Sequence, residues 1–165
     1  GANLIEDITS CPGADTCNLG ITSSRGLALT LVQMLDQGNG EYKDVRDIQI
    51  KISGCPNSCG QHHIADIGFY GASQKVGTRQ VPAFQLMVGG NCDFEGAGSK
   101  FGRMVTRIPA RRGPEAVQIM IDSYRKEKMG SESFRQYLQR VDVKVLKERL
   151  ATLTVIEDYE KNPVL

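Results

Sequence analysis

The sequence contains no long hydrophobic run, no secretory leader pattern, no initiator methionine and almost no net charge. A membrane-spanning helix needs about 20 consecutive apolar residues, and nothing in the 165 residues approaches that length. No charged segment followed by an apolar stretch opens the chain, so a secretory leader is not expected. The formal net charge of +1 exerts no global pull toward nucleic acid or membrane, which leaves electrostatic recognition to local patches. Internal repeats, low-complexity segments and interdomain linkers are also missing. Gly1-Ala2-Asn3 in place of a methionine reads as a tag scar or a cut inside a longer protein.

What is there is an ordinary globular composition, 40% apolar and 24% charged, long enough to bury one core without disulfides. Residues 4–8 run into Ser10-Cys11-Pro12-Gly13 as a strand end and a tight loop. Leu27, Leu31, Met34 and Leu35 recur at helical spacing and predict a helix over Thr22–Asp36. Thr22 or Ser23 would cap it, and Gly38-Asn39-Gly40 would end it. Ile48, Ile50 and Ile52 alternate with Gln49 and Lys51, the pattern of a half-buried strand over Asp47–Ile52. Gly54–Gly60 reads as a turn that opens a short helix around Ser58–His63. Strands are expected at 64–70 and 83–88, the second with Phe84, Leu86 and Val88 on one face. A glycine-rich stretch from Gly89 to Gly102 predicts irregular backbone. Gly113-Pro114 starts a helical third, with Val117, Met120, Ile121 and Tyr124 on one face. Met129-Gly130-Ser131 breaks that helix. A second follows with Phe134, Tyr137 and Leu138, and a third with Leu146, Leu150 and Leu153. The expected fold is α+β (mixed α/β). It is a single domain over 1–165 with a mixed β-sheet, the cysteine loops at one end of the sheet and helices packed on it. Residues 154–165 form a tail.

Five cysteines is an odd number, and their spacing without a leader favours reduced thiols and a cytoplasmic setting over a disulfide framework. Four of them form two pairs, Cys11 with Cys17 and Cys55 with Cys59, each in a loop rich in proline and glycine. Four thiolates complete the ligand set of a 4Fe–4S cube. Cys17 and Cys59 directly precede expected helix starts, where backbone N–H groups favour a negatively charged cluster. Pro12 and Pro56, each just after a cysteine, stiffen the loops and remove a donor. On spacing alone, a zinc-stabilised structural domain and unrelated buried cysteines stay open as alternatives.

The residues around the cysteines carry more information. Cys11-Pro-Gly-Ala-Asp-Thr-Cys17-Asn-Leu-Gly-Ile-Thr and Ser53-Gly-Cys55-Pro-Asn-Ser-Cys59-Gly-Gln resemble the paired cluster motifs of the siroheme-dependent nitrite and sulfite reductase family. Ile64-Ala-Asp-Ile-Gly-Phe-Tyr-Gly71 and Leu86-Met-Val-Gly-Gly90 extend the resemblance, which covers roughly Leu4 to Tyr137. It implies a 4Fe–4S cluster on Cys11, Cys17, Cys55 and Cys59, coupled to siroheme, with Cys59 as the thiolate bridging cluster and haem iron. It also implies six-electron reduction of nitrite to ammonia or of sulfite to sulfide, with ferredoxin or a similar donor. Ile64-Ala-Asp-Ile-Gly-Phe is closer to the ferredoxin-dependent nitrite branch than to NADPH-linked sulfite reductases. Enzymes of this family are several times longer and grip the anion with Arg and Lys from a preceding half. The chain therefore reads as a fragment that needs that N-terminal half and is inactive alone. A non-catalytic 4Fe–4S electron-transfer or redox-sensing module is the rival reading.

Other residues have weaker signals. Asn57 could hydrogen-bond a cluster sulfur or the siroheme rim, or satisfy its own turn. His62 and His63 read as surface helix residues, with proton donation or siroheme carboxylates as the alternative. Cys92 matches no motif and reads as a free thiol. Lys100, Arg103, Arg107, Arg111 and Arg112 form the one basic concentration, suited to siroheme carboxylates, to an acidic ferredoxin or to a solvated loop. Gly96-Ala-Gly98 with Gly102 has the wrong spacing for a nucleotide loop.

Overall fold

Alternating apolar residues and glycine turns determine the frame of the molecule. The computed structural model describes Ile5 and residues 7–37, 42–45, 47–92 and 98–156. Five strands lie side by side in sequence order: β1 (Thr9–Ser10), β2 (Ile50–Ser53), β3 (Ile67–Val76), β4 (Arg79–Val88) and β5 (Arg103–Pro109). The first three are parallel, and β3, β4 and β5 pair antiparallel, which makes the sheet mixed.

Parallel neighbours cannot be joined by a tight turn, so each parallel step needs a crossover. Helix α1 (Ser24–Gln37) lies between β1 and β2 in the chain and packs on both. The step from β2 to β3 is made by the second cysteine loop, residues 54–66, with only a 3₁₀ turn at His62–Ile64. That compact crossover depends on glycine. A Cβ on Gly60 would lie 2.1 Å from the Ile52 carbonyl oxygen, and one on Gly68 would lie 2.1 Å from that of His62.

The apolar faces meet in one core. Ile50 and Ile52 of β2, Phe69 of β3, and Phe84 and Leu86 of β4 are buried with Leu31 of α1. Phe69 and Phe84 meet edge to face at 6.0 Å, and burying a side chain of that size stabilises the fold by about 2–3 kcal/mol. Helices α2 (Gly113–Glu127) and α3 (Phe134–Arg140) contribute Val117, Met120, Ile121, Phe134, Tyr137 and Leu138. Helices α4 (Val143–Arg149) and α5 (Ala151–Thr154) pack on β5 and add Leu146 and Leu153. Ser133 and Gln136 form a capping box that starts α3.

Three expectations need correction. The segments 64–70 and 83–88 are the inner part of a longer hairpin that turns at Gly77, whose φ is +58°. Its outer residues, such as Lys75, Arg79 and Gln80, are polar and interrupt the hydrophobic alternation that marks a strand. The basic stretch is not a loop, since Arg103–Pro109 forms β5. The short helix expected from Ser58 does not form, because Ser58 has a φ of +62° and the turn begins only at His62. Of the two candidate caps of α1, Ser23 accepts from the Gly26 N–H (3.1 Å), whereas Thr22 is buried and donates to the Gly54 carbonyl (3.4 Å). The expected helix end at 38–40, residues 93–97 of the Gly89–Gly102 stretch and most of the tail lie outside the described residues.

Candidate metal centre

Both cysteine loops leave the carboxyl ends of adjacent parallel strands, the edge where open α/β sheets bind ligands. Cys11 follows β1 directly, and Gly54-Cys55 follow β2. The loops interlock through their backbones. Cys11 N–H donates to Ile52 O (3.1 Å), and the N–H groups of Ile21 and Thr22 donate to Gly54 O (2.8 and 3.1 Å). Glycine makes this approach possible. A Cβ on Gly54 would meet Gly13 Cα at 2.6 Å, and one on Gly71 of β3 would meet Gly54 O at 1.9 Å.

The four paired cysteines differ in exposure: Cys55 is buried, Cys11 half-buried, and Cys17 and Cys59 exposed. The Gly54 N–H donates to Cys11 Sγ (3.1 Å), which ties the first cysteine to the residue before the third. Ser24 Oγ lies 3.4 Å from the same sulfur and donates to the Cys11 carbonyl (2.7 Å). Burial pushes the Cys11 thiol up, but hydrogen bonds from Ser24, Gly54 and Gly13 outweigh it and hold the thiol below its usual value. That environment suits a thiolate. The helix-start rationale for Cys17 and Cys59 does not hold, since α1 begins at Ser24 and the 3₁₀ turn at His62.

The donor set is four thiols, two on each loop, ranging from buried Cys55 to exposed Cys17 and Cys59. One zinc ion draws its ligands together at about 2.0–2.3 Å. A four-iron cube presents a separate iron at each corner and so takes its thiolates from farther apart. Two thiols on each of two facing loops, with backbone N–H groups between them, fit that larger group.

The second loop is held by its own side chains. Ser53 Oγ accepts from Gly60 N–H (3.1 Å) and pairs with His62 Nδ1 (2.9 Å). Ser58 Oγ pairs with His63 Nδ1 (2.7 Å). His62 is fully buried, contrary to a surface helix position, and its Nε2 has no hydrogen-bond partner among the described residues. Burial, and secondarily the neighbouring His63, pushes its pKa down to about 4, so it is neutral at pH 7. Asn57 is exposed.

The basic residues divide. Arg103 donates to the carbonyls of Leu138 (2.7 Å) and Val141 (3.1 Å) at the end of α3. Arg107 donates to Ser73 O (2.7 Å) and Arg112 to Thr152 O (3.2 Å). These three tie β5 and its extension to neighbouring elements, while Lys100 and Arg111 are exposed. Cys92 accepts a weak hydrogen bond from Ser99 (3.8 Å). Reasoning from the sequence missed Ser24, Ser53 and the buried state of His62. The available signal was glycine beside cysteine in both loops (Gly13, Gly54, Gly60), which marks close backbone approach.

Comparison with known proteins bears on this arrangement. The chain is 26% identical over 130 residues to the assimilatory ferredoxin-dependent nitrite reductase of Haloferax mediterranei, covering 79% of this chain and 22% of that protein. It is 28% identical over 141 residues to a ferredoxin sulfite reductase of Mycobacterium tuberculosis, covering 82% of this chain and 25% of that one. The solved structure of the Mycobacterium tuberculosis NirA protein superposes with a TM-score of 0.72 at 27% identity, over 85% of this chain and 26% of that chain. The chain thus spans about a quarter of the length of these relatives. A family model, nitrite and sulphite reductase 4Fe-4S domain, matches residues 1–155. With its paired cysteine loops on a mixed sheet, the chain belongs to the nitrite and sulphite reductase 4Fe-4S domain family, for which a 4Fe–4S cluster and siroheme are the typical cofactors.

Proposed function

We propose that this chain is the cluster-bearing part of a siroheme-dependent reductase that converts nitrite to ammonia or sulfite to sulfide, with Cys11, Cys17, Cys55 and Cys59 holding the 4Fe–4S cluster. The observation that carries the reading is the interlocking of two cysteine loops at the carboxyl ends of β1 and β2, where Gly13 and Gly54 touch. Bound there, the cluster would pass electrons one at a time to siroheme, the site of the six-electron reduction. The chain's own residues prepare the ligands. The Gly54 N–H steadies the Cys11 sulfur, and Ser24 ties the loop carrying it to the start of α1. Cys59, exposed on the second loop, would be the thiolate ligand shared by the two cofactors, and exposed Asn57 near it would offer a hydrogen-bonding group to the cofactor rim.

The substrate anion needs basic residues, and Arg103, Arg107 and Arg112 are occupied by carbonyls. Lys100 and Arg111 are exposed, but by the family resemblance the anion-gripping cations belong to the N-terminal half of a longer enzyme, and the chain by itself is inactive. Leu19 and Ile21 are exposed on the first cysteine loop, beside an apolar pocket of about 640 Å³ lined by Ile21, Leu27, Val81 and Phe84. Such a surface suits contact with more polypeptide. Ferredoxin or a similar protein is the electron donor, and nitrite is favoured over sulfite by the Ile64–Phe69 segment. The setting is the cytoplasm, where thiols stay reduced.

The test is Cys59→Ser in the complete enzyme, purified anaerobically. Loss of cluster–haem coupling and of six-electron turnover is expected. A variant with normal turnover refutes the bridging assignment.

A further inference from the structure

The two histidines after the second cysteine motif have no part in the reading above, and each pairs with a serine that holds one flank of Cys59. On the N-terminal side, Ser58 Oγ is 2.7 Å from His63 Nδ1. On the C-terminal side, the Gly60 N–H donates to Ser53 Oγ (3.1 Å), which is itself 2.9 Å from His62 Nδ1. The two imidazoles lie against each other with centroids 4.1 Å apart, and His62 also packs on Tyr70 at 4.8 Å. Movement of either flank therefore disturbs a stacked ring pair.

The backbone between these latches is not one an unconstrained chain would adopt. Ser58 and Gln61 have φ values of +62° and +59°, and they are the non-glycine residues with positive φ among the described ones. β-Carbon crowding disfavours that region, so it persists only where the surroundings impose it. Gln61 N–H donates to Ser58 O (2.8 Å), closing the segment on itself, and Lys51 Nζ reaches Gln61 Oε1 (3.3 Å). Cys59 sits in the middle of this constrained segment, yet its own side chain is exposed.

We propose that His62 and His63 are positioning residues that, through Ser53 and Ser58, fix the backbone on both sides of Cys59 and so aim its thiolate. The inference rests on Cys59 being a cluster ligand. His62 acts from inside the protein, as a neutral ring whose remaining nitrogen is buried without a hydrogen-bond partner among the described residues. His63 acts from the rim of a pocket of about 360 Å³ that it shares with Ser58, Gln61, Ile64 and Phe101. The arrangement preorganises a ligand that would otherwise lose conformational freedom when a cofactor binds.

The experiment uses the full-length enzyme with His62→Ala, His63→Ala, Ser58→Ala, and His62→Asn and His63→Asn, the last two keeping an amide where Nδ1 stood. Amide hydrogen exchange of residues 58–61 is read on the metal-free protein. The electron paramagnetic resonance signal and midpoint potential of the cluster are read on the loaded one. The alanine variants are expected to exchange the Gly60 and Gln61 amides at least about ten times faster. They should also broaden the cluster signal and move its potential, while the asparagine variants restore both. Ser58→Ala combined with His63→Ala should be no worse than His63→Ala alone, because the serine's hydrogen bond to His63 is already lost in that variant. Wild-type exchange and a wild-type signal in both alanine variants overturn the proposal. If a histidine-to-alanine variant does not fold, Ser58→Ala and the asparagine variants decide the matter by the same readings. Failure of the underlying reading looks different: Cys59→Ser would leave the cluster signal and potential unchanged, whatever the exchange rates report.

Discussion

Acidification should destabilise this fold before its carboxylates begin to protonate, through the single residue His62. Its imidazole is fully buried, and its pKa is lowered from 6.5 to about 4, first by burial and then by His63. As the pH falls, the unfolded chain takes up this proton first and the native state resists it, so stability falls from near pH 6.5 down to near pH 4. The complete loss is about 3 kcal/mol, from a shift of roughly 2.5 units at 1.36 kcal/mol each, and about 2 kcal/mol of it arrives between pH 7 and pH 5. Asp44, Glu127 and Glu132 are held below their ordinary values of 3.8 and 4.5, first by hydrogen bonds from Arg125, Arg149 and Arg140 respectively. Their contributions are present above those ordinary values and fade below them, so they add little change between pH 7 and pH 5. Urea unfolding of the 165-residue chain at pH 7 and pH 5 measures the effect, with His62→Asn as the control that keeps the Ser53 contact. The wild type should lose about 2 kcal/mol and the variant much less. Equal losses in the two proteins would refute the reasoning.

Other perturbations have defined outcomes. Asp66 is buried and takes a two-pronged bond from Arg135 (2.8 and 2.9 Å). Arg135→Met should therefore cost about 3–5 kcal/mol in urea unfolding, with recovery when Asp66→Asn is added. Gly71→Ala drives a Cβ into the Gly54 carbonyl and should cost about 1–3 kcal/mol or more. Gly77→Ala, where nothing lies within 4 Å, should cost only the backbone preference of about 1 kcal/mol. Ser23→Ala removes the cap of α1 and its bond to Asp15 (2.8 Å), with an expected loss of about 1 kcal/mol by thermal unfolding.

The helices and the inner strands were legible because their buried faces are written in one periodicity. Val117, Met120, Ile121 and Tyr124 face the core of α2 as their spacing requires, and Ile48, Ile50 and Ile52 are all buried. β5 was hidden because half-buried Arg103 and exposed Arg107 interrupt its apolar pattern, and their partners are carbonyls distant in sequence. Pairing of that kind leaves no local pattern. The same holds at the site. The cysteine loops could be recognised from their wording, but His62 turns inward because Gly60 and Gly68 let the loop press against β2 and β3. No helical spacing predicts a residue on a tight crossover, and the left-handed backbone at Ser58 rules out the helix that would have put His62 on the surface.

The central claim is that Cys11, Cys17, Cys55 and Cys59 hold a 4Fe–4S cluster beside siroheme. Anaerobic purification of the complete enzyme, followed by iron, acid-labile sulfide and zinc analysis with a visible spectrum, tests it most directly. The account predicts about four acid-labile sulfides and about five irons per chain, the fifth iron being that of siroheme, together with siroheme absorption bands and no zinc. Colourless protein containing zinc and no sulfide would contradict it.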